Sequence, residues 1–173
     1  MYNNTTTKRI YAGGVAIGGG APVSIQSMLC AHAHDIEGNV AQAVALQNAG
    51  CDIVRVSVPD IETIKTVEAL KQNITIPLVA DIHFDWRLAI ESVAAGVDKV
   101  RINPGNIGDE GRVREVARVC RENNIPIRIG VNSGSLEKEI LARYGSVTPE
   151  AMVESGLYHI SLLEKYDFDN IVL

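Results

Sequence analysis

The 173-residue sequence predicts an α/β protein of the (β/α)8 TIM-barrel type, present as its first six strands behind an N-terminal hairpin. Three observations lead there. Short β-branched runs alternate with helical stretches along the chain, the pattern of a parallel sheet. The strands carry polar side chains on one face and aliphatic ones on the other. Strands of an open doubly wound sheet are covered by helices on both faces and read apolar on both. Finally, an arginine stands twice in nearly the same setting, where AGCDIVRV at 49–56 is echoed by AGVDKVRI at 95–102.

The first element is a hairpin. KRIYAGG supplies a short strand and the Gly13-Gly14 turn, and Val15 to Ile17 return. Gly18 to Gly20 and Pro22 end it and lead into the first barrel strand, VSIQSM at 23–28. Asp35 is placed to cap a helix that stops at Gly50. The second strand is 53–58, and Asp60 caps the helix IETIKTVEALKQN. PLVADIHF makes the third strand, and Asp85 caps the helix that follows it. DKVRIN is the fourth strand, followed by the Gly-rich loop NPGNIGDEG and the helix RVREVARVCREN. PIRIGVN is the fifth. An SGS loop leads to the short helix LEKEILARYG, and Thr148-Pro149 opens a longer one with a capping hydroxyl and a proline at its first position. DNIVL is the sixth strand.

Side chains alternate faces along a strand, so the phase of each residue is legible. One face carries Gln26, Arg55, Ser57, Asp81, His83, Arg101, Asn103, Arg128 and Asn132. These are the groups of a barrel lumen, and they gather toward strand C-terminal ends, where barrel active sites sit. Six strands do not close an eight-stranded barrel, and the apolar last strand would stand as an open edge. Residues 1–173 are therefore expected to be an incomplete N-terminal TIM-barrel domain that binds substrate.

Composition narrows the class. Hydrophobic residues make up 46% and aromatics only 5%, so the core is aliphatic. A net charge of −5 argues against a nucleic-acid binder. No apolar run approaches the ~20 residues that span a bilayer, and the N-terminus lacks a signal-peptide core, so no membrane role and a cytoplasmic location are expected. Cys30, Cys51 and Cys120 form no CxxC, and Cys51 and Cys120 fall in apolar patterns as packing residues. The stretch Cys30, His32, His34 offers alternate residues in a loop with no second ligand cluster, so no metal site is assigned there.

Arg55, Arg101 and Arg128 share one face of three strands, so their guanidinium groups should converge on an anion, with phosphate oxygens matching their planar donors. Pairing with an internal carboxylate such as Asp81 is the simpler account, but one carboxylate cannot neutralise three cations. Lys138, behind Ser133, Gly134 and Ser135, offers a further cation. Asp81 and His83 read as a proton-handling or ligand-orienting pair, or as a structural histidine held by its carboxylate. Asn103 and Asn132 end their strands, to read phosphate or hydroxyls or simply to form turns.

VSIQSM, DIVRVSVP, PLVADIHFD, VRINPGNIG and PIRIGVNSGSLEK together resemble the N-terminal barrel of the 4-hydroxy-3-methylbut-2-enyl diphosphate synthase family, over roughly residues 8–173. That family belongs to the non-mevalonate isoprenoid pathway and reductively opens 2-C-methyl-D-erythritol 2,4-cyclodiphosphate. The resemblance implies an oxidoreductase whose barrel binds the cyclic diphosphate through Arg55, Arg101, Arg128 and Lys138, with Asp81, His83, Asn103 and Asn132 as its other lumen-facing positions. It also implies a [4Fe–4S] cluster held by three cysteines and a glutamate in a C-terminal domain absent from this chain, beyond Leu173. Flavodoxin or ferredoxin would donate electrons, the intact enzyme would be a homodimer, and this portion alone would be inactive. After QSM the family commonly shows Thr-Asn-Thr, where this chain has Leu29, Cys30 and Ala31. Two other readings stay open: a dihydropteroate-synthase-like barrel enzyme, and a non-catalytic anion-binding module.

Overall fold

In a computed structural model, which describes residues 7–173, the chain forms a two-stranded hairpin and a six-stranded parallel sheet flanked by helices. The hairpin is β1 (Ile10–Ala12) and β2 (Val15–Ile17), paired antiparallel across Gly13 and Gly14. The sheet runs in chain order through β3 (Gln26–Met28), β4 (Ile53–Ser57), β5 (Leu78–Asp81), β6 (Lys99–Ile102), β7 (Ile127–Ile129) and β8 (Ile171–Val172). The helices are α1 (Ile36–Asn48), α2 (Ile64–Asn73), α3 (Trp86–Ala94), the single turn α4 (Pro104–Ile107), α5 (Glu110–Glu122), α6 (Lys138–Tyr144) and α7 (Pro149–Glu164). Sequential order without reversal is barrel topology; a doubly wound sheet reverses at a switch point.

The sheet is curled. Gln26 on β3 and Lys99 on β6 are three strand intervals apart, about 14 Å in a flat sheet. Yet Lys99 Nζ lies 3.5 Å from Gln26 Oε1. Only a sheet closing round a lumen brings those two tips together.

Local chemistry sets the frame. The side chains of Asp35, Asp85, Asp109 and Thr148 each accept a backbone N–H at the first turn of their helix. Gly50 and Gly96 stand just past α1 and α3 at φ 90° and 89°, a left-handed geometry that only glycine adopts without strain. The echoed aspartates repeat a role the sequence did not disclose. Asp52 Oδ2 accepts from Ile25 N at 2.7 Å, and Asp98 Oδ2 accepts from Leu78 N at 2.8 Å. Each ties the start of its own strand to its neighbour.

The outer face of the sheet makes the main core. Val54, Val56, Leu78, Ala80, Val100, Ile102, Ile127 and Ile129 pack there against helix residues such as Val67, Leu70, Leu88, Val113 and Leu163. A second, small cluster lies inside, where Ile53 and Val79 meet Ala12, Val15 and Ile17 of the hairpin. The hairpin thus plugs the floor of the lumen. The seam between the two end strands is open as a cleft of 600 Å³, lined by Ile10, Ile17, Val23, Ile171 and Val172 among others.

Several boundaries differ from the sequence reading. The first barrel strand shrinks to Gln26–Met28, because Val23 and Ile25 are exposed and lack a second neighbour. β5 ends at Asp81, which leaves His83 and Phe84 in the bend that leads to α3. The Gly-rich loop holds a helical turn, α4, nucleated by Asn103, and α5 begins at Glu110 because Asp109 caps it. The SGS segment is a 3₁₀ turn over Ser133–Ser135.

Candidate functional site: a cationic lumen

Strand pairing carries the charged residues into one place. Arg55 is in register with Val79, Val79 with Lys99, Asp81 with Arg101, and Arg101 with Arg128. Arg101 therefore stands two residues further along its strand than the register partner reached from Arg55. Arg101 is thus level with Asp81 and Arg55 one side-chain step below it on the other neighbouring strand, and both reach the same carboxylate.

Asp81 is the hub. Its side chain is 0% exposed, and its Oδ2 accepts from Arg55 Nε at 3.0 Å and from Arg55 Nη2. Its Oδ1 accepts from Arg101 Nη1 at 3.2 Å. His83 Nε2 sits 3.6 Å from Oδ2, with the imidazole 40% exposed toward the mouth. Arg128 makes no ion pair or side-chain hydrogen bond among the described residues. Its charge is disfavoured by burial first and then by Arg55 and Arg101, with Asp81 acting the other way.

The sequence reading missed a fourth cation. Lys99 is 2% exposed, points into the same lumen, and has only Gln26 Oε1 at 3.5 Å as a side-chain partner among the described residues. Burial, then Arg128 and Arg55, push its ammonium down to about 8. The signal was present, since Lys99 is in phase with Arg101 two residues later. Four cations then face one carboxylate, an arrangement that is costly unless an anion joins it.

Gly130 also escaped notice. It follows Arg128 by two residues on the lumen side, and a Cβ there would collide with the Arg101 guanidinium. The bare backbone is what gives Arg101 its room.

The strand-end loops form the rim. Asn103 Oδ1 accepts from Gly105 N at 3.1 Å, and Asn132 Oδ1 accepts from Gly134 N at 3.1 Å, so both asparagines shape turns. They are also linked to each other. Asn103 Nδ2 donates to Ser135 Oγ at 2.6 Å, and Ser135 Oγ lies 3.2 Å from Asn132 Oδ1. Behind this rim, His159 of α7 is 1% exposed, with Nε2 at 2.5 Å from Glu137 Oε1. No other polar partner reaches either group among the described residues. These two residues lie on separate elements with no shared pattern, so the sequence held no signal for them. Lys138 is exposed in the first turn of α6, and among the described residues no ion pair or side-chain hydrogen bond ties it to the lumen.

The Cys30–His34 stretch stays outside this site. His34 Nε2 lies 2.8 Å from Asp60 Oδ2, and Cys30 Sγ accepts from Gln42 Nε2 at 2.9 Å. Among the described residues no three His, Cys, Asp or Glu side chains gather as metal ligands. Cys51 and Cys120 are buried, and burial pushes the Cys120 thiol up to about 12, far from the thiolate that iron requires. These cysteines do not fit an iron–sulfur cluster. No helix among the described residues is long and apolar enough to cross a membrane.

Comparison with known proteins gives the lineage. Residues 7–173 match the family model of the GcpE TIM-barrel domain. A 4-hydroxy-3-methylbut-2-en-1-yl diphosphate synthase (flavodoxin) of Caldicellulosiruptor saccharolyticus is 53% identical over 167 residues, covering 96% of this chain and 48% of the relative. The protein so named in Shewanella sp. (strain ANA-3) is 51% identical over 174 residues, 98% of this chain and 47% of its own length. The chain thus spans about half the length of the curated relatives it matches. Among solved structures, a 7,8-dihydropteroate synthase of Vibrio fischeri superposes at TM-score 0.67 with 13% identity, over 95% of this chain and 65% of that one. A phospho-2-dehydro-3-deoxyheptonate aldolase of Thermotoga maritima gives 0.63 at 16% identity, over 96% and 44%. At such identities these two share the fold alone.

Proposed function

The chain belongs to the GcpE TIM-barrel family, and from that membership we propose that it is the substrate-binding barrel of a 4-hydroxy-3-methylbut-2-enyl diphosphate synthase. The reaction is the reductive opening of 2-C-methyl-D-erythritol 2,4-cyclodiphosphate, an oxidoreductase step of isoprenoid biosynthesis. Residues 1–173 are the N-terminal, incomplete part of that barrel. The observation that carries the reading is the surplus of positive charge in the lumen, where Arg55, Arg101, Arg128 and Lys99 stand against the single carboxylate of Asp81.

Each residue has work that follows from its position. A guanidinium offers five N–H donors, of which Arg55 spends Nε and Nη2 on Asp81 and Arg101 spends Nη1. Asp81 thereby holds both arginines with donors to spare for phosphate oxygens, while Arg128 retains all of its own. Asn103, Ser135 and Asn132 fix the rim above them. His83 adds a ring N–H at the mouth, and Lys138 adds a cation from the outer side of the same rim. Ring opening converts a cyclic diphosphate dianion into an open diphosphate with one more negative charge. Cations already in place stabilise that charge as it develops, without reorganising solvent.

The electrons need a redox group. The cysteines here do not fit a [4Fe–4S] cluster, so no step is routed through one in this chain. We assign the cluster to the portion of the relatives that this chain does not span. The flavodoxin in the relatives' names supports flavodoxin as the electron donor, with ferredoxin the other candidate; a homodimer as the working form is part of the proposal and rests on the family resemblance alone. A dihydropteroate-synthase activity is not favoured, since that likeness lies in fold alone. Calorimetry with the cyclodiphosphate tests the proposal. The chain is expected to bind it, and Arg128→Ala to weaken binding at least about tenfold. Equal affinity in the variant would remove Arg128 from the site, and no binding by the parent chain would end the proposal.

A further inference from the structure

Of the four lumen cations, Lys99 is the one lysine, and so the one whose proton can come and go. It rises from β6 into the lumen, almost wholly buried, beside the hairpin-plugged floor. The groups that face it can be named strand by strand. From β3 comes Gln26, a neutral amide. From β4 comes Arg55, from β7 Arg128, and from its own strand Arg101. β5 offers Val79 in direct register, then Asp81. But Asp81 is already shared by Arg55, Arg101 and His83. No carboxylate lies within ion-pair distance of Lys99 among the described residues. A buried ammonium surrounded by other cations is a strongly disfavoured charge. Unlike its arginine neighbours, a lysine can respond by letting its proton go.

We propose that Lys99 is a proton-accepting cation of the lumen site, and that the molecules whose Lys99 is neutral take up one proton from solvent when a polyphosphate anion of fixed charge enters. The inference rests on the diphosphate reading of the same lumen and adds to it a coupling between anion and proton. A cyclic diphosphate has no free terminal phosphate and so no proton to lose or gain near neutrality. Charge adjustment therefore falls to the protein. The anion need not touch Nζ. Standing among Arg55 and Arg128, it cancels the repulsion that disfavours the ammonium, and the ammonium in turn holds the anion. Burial and those arginines hold the free lysine at about 8. Near that pH the empty lumen is divided between its two forms and the filled lumen carries the charged one.

The test uses trimetaphosphate, a cyclic anion that does not titrate between pH 6 and 10, so every proton exchanged belongs to the protein. Affinity is measured by calorimetry from pH 7 to pH 9.5, in two buffers of different ionisation heat. The expected result is an affinity that falls about fivefold or more between pH 7 and pH 9, with proton uptake at the upper end. Lys99→Arg, charged at every pH used, should bind without that fall and without uptake. Lys99→Met should bind more weakly, with the same flat profile. Binding that is independent of pH in the parent chain overturns the coupling and leaves the anion site standing. A fall that survives in Lys99→Arg assigns it to another group and also overturns the proposal. Absence of binding at every pH removes the diphosphate reading together with it. Circular dichroism of each variant at pH 7 checks that the fold is intact, and the parent profile decides even if a variant does not fold.

Discussion

Arg101 lies against Gly130, just past the end of the neighbouring β7, so close that a Cβ at 130 would force its guanidinium to shift. The pair explains how a long cation stays in a narrow lumen. Backbone at Gly130, just past β7, forms one wall of its slot and Asp81 anchors its far end. The guanidinium is thus held by what is missing as much as by what is present.

Gly130→Ala is expected to push Arg101 off Asp81. Anion affinity should fall about ten- to hundredfold, the ~1.5–3 kcal/mol of one charge-assisted contact. Gly134→Ala serves as a control, because a Cβ there meets Asn132 Oδ1 at an ordinary 3.6 Å. Trimetaphosphate binding to both variants checks this, and equal losses would mean that loop flexibility, not Arg101, is being read.

Asp81→Asn leaves two buried arginines without their shared carboxylate. Urea unfolding should show a loss of about 3–5 kcal/mol. Part of it should return with a saturating polyanion, which supplies the missing charge. Unchanged stability would mean that the lumen cations are already well solvated.

Lys99 makes a stability prediction distinct from binding. Burial and the neighbouring arginines push its pKa down to about 8, below the ordinary lysine value of 10.5. The unfolded chain therefore holds the proton more tightly, and the lysine costs the fold most below pH 8. That cost fades as pH rises from 8 toward 10.5. Lys99→Met should gain about 1–3 kcal/mol at pH 7 and little at pH 10. Denaturant titrations at the two pH values would show it.

His159 acts in the opposite pH range. Burial lowers its pKa from 6.5, against the pull of Glu137. Below pH 6.5 the unfolded chain takes the proton first, so stability is lost as pH falls through that value toward the lowered one. His159→Gln should flatten this part of the acid limb. A limb of unchanged slope would place its origin elsewhere.

Much of this was legible in the chain. Strand phase placed Arg55, Asp81, Arg101 and Arg128 on one face because a parallel strand with helices on one side only has a single apolar face. Capping aspartates and the glycines at 50 and 96 marked helix ends because their chemistry is local. What the sequence hid depends on neighbours distant along the chain. Lys99 lay inside the strand DKVRIN, in phase with Arg101, but only the curled sheet brings it near Arg55 and Arg128. Gly130 read as a strand residue until Arg101 crossed it. The hairpin gave no hint that it plugs the lumen, since Ala12 and Ile17 look like any strand residues. Asn103 and Asn132 were seen as strand ends, and their link through Ser135 needed two loops brought together. Lys138 was legible as a cation behind the SGS turn, and it stands exposed in the first turn of α6, apart from the buried cluster.

The central claim is that the lumen cations hold a cyclic diphosphate. The most direct measurement follows the side-chain Nε–Hε signals of isotope-labelled arginine by NMR while 2-C-methyl-D-erythritol 2,4-cyclodiphosphate is added. Saturable shifts of Arg55, Arg101 and Arg128, with surface Arg118 unmoved in its bridges to Glu115 and Glu122, are the result predicted. Lumen signals that stay in place while surface arginines drift would contradict it.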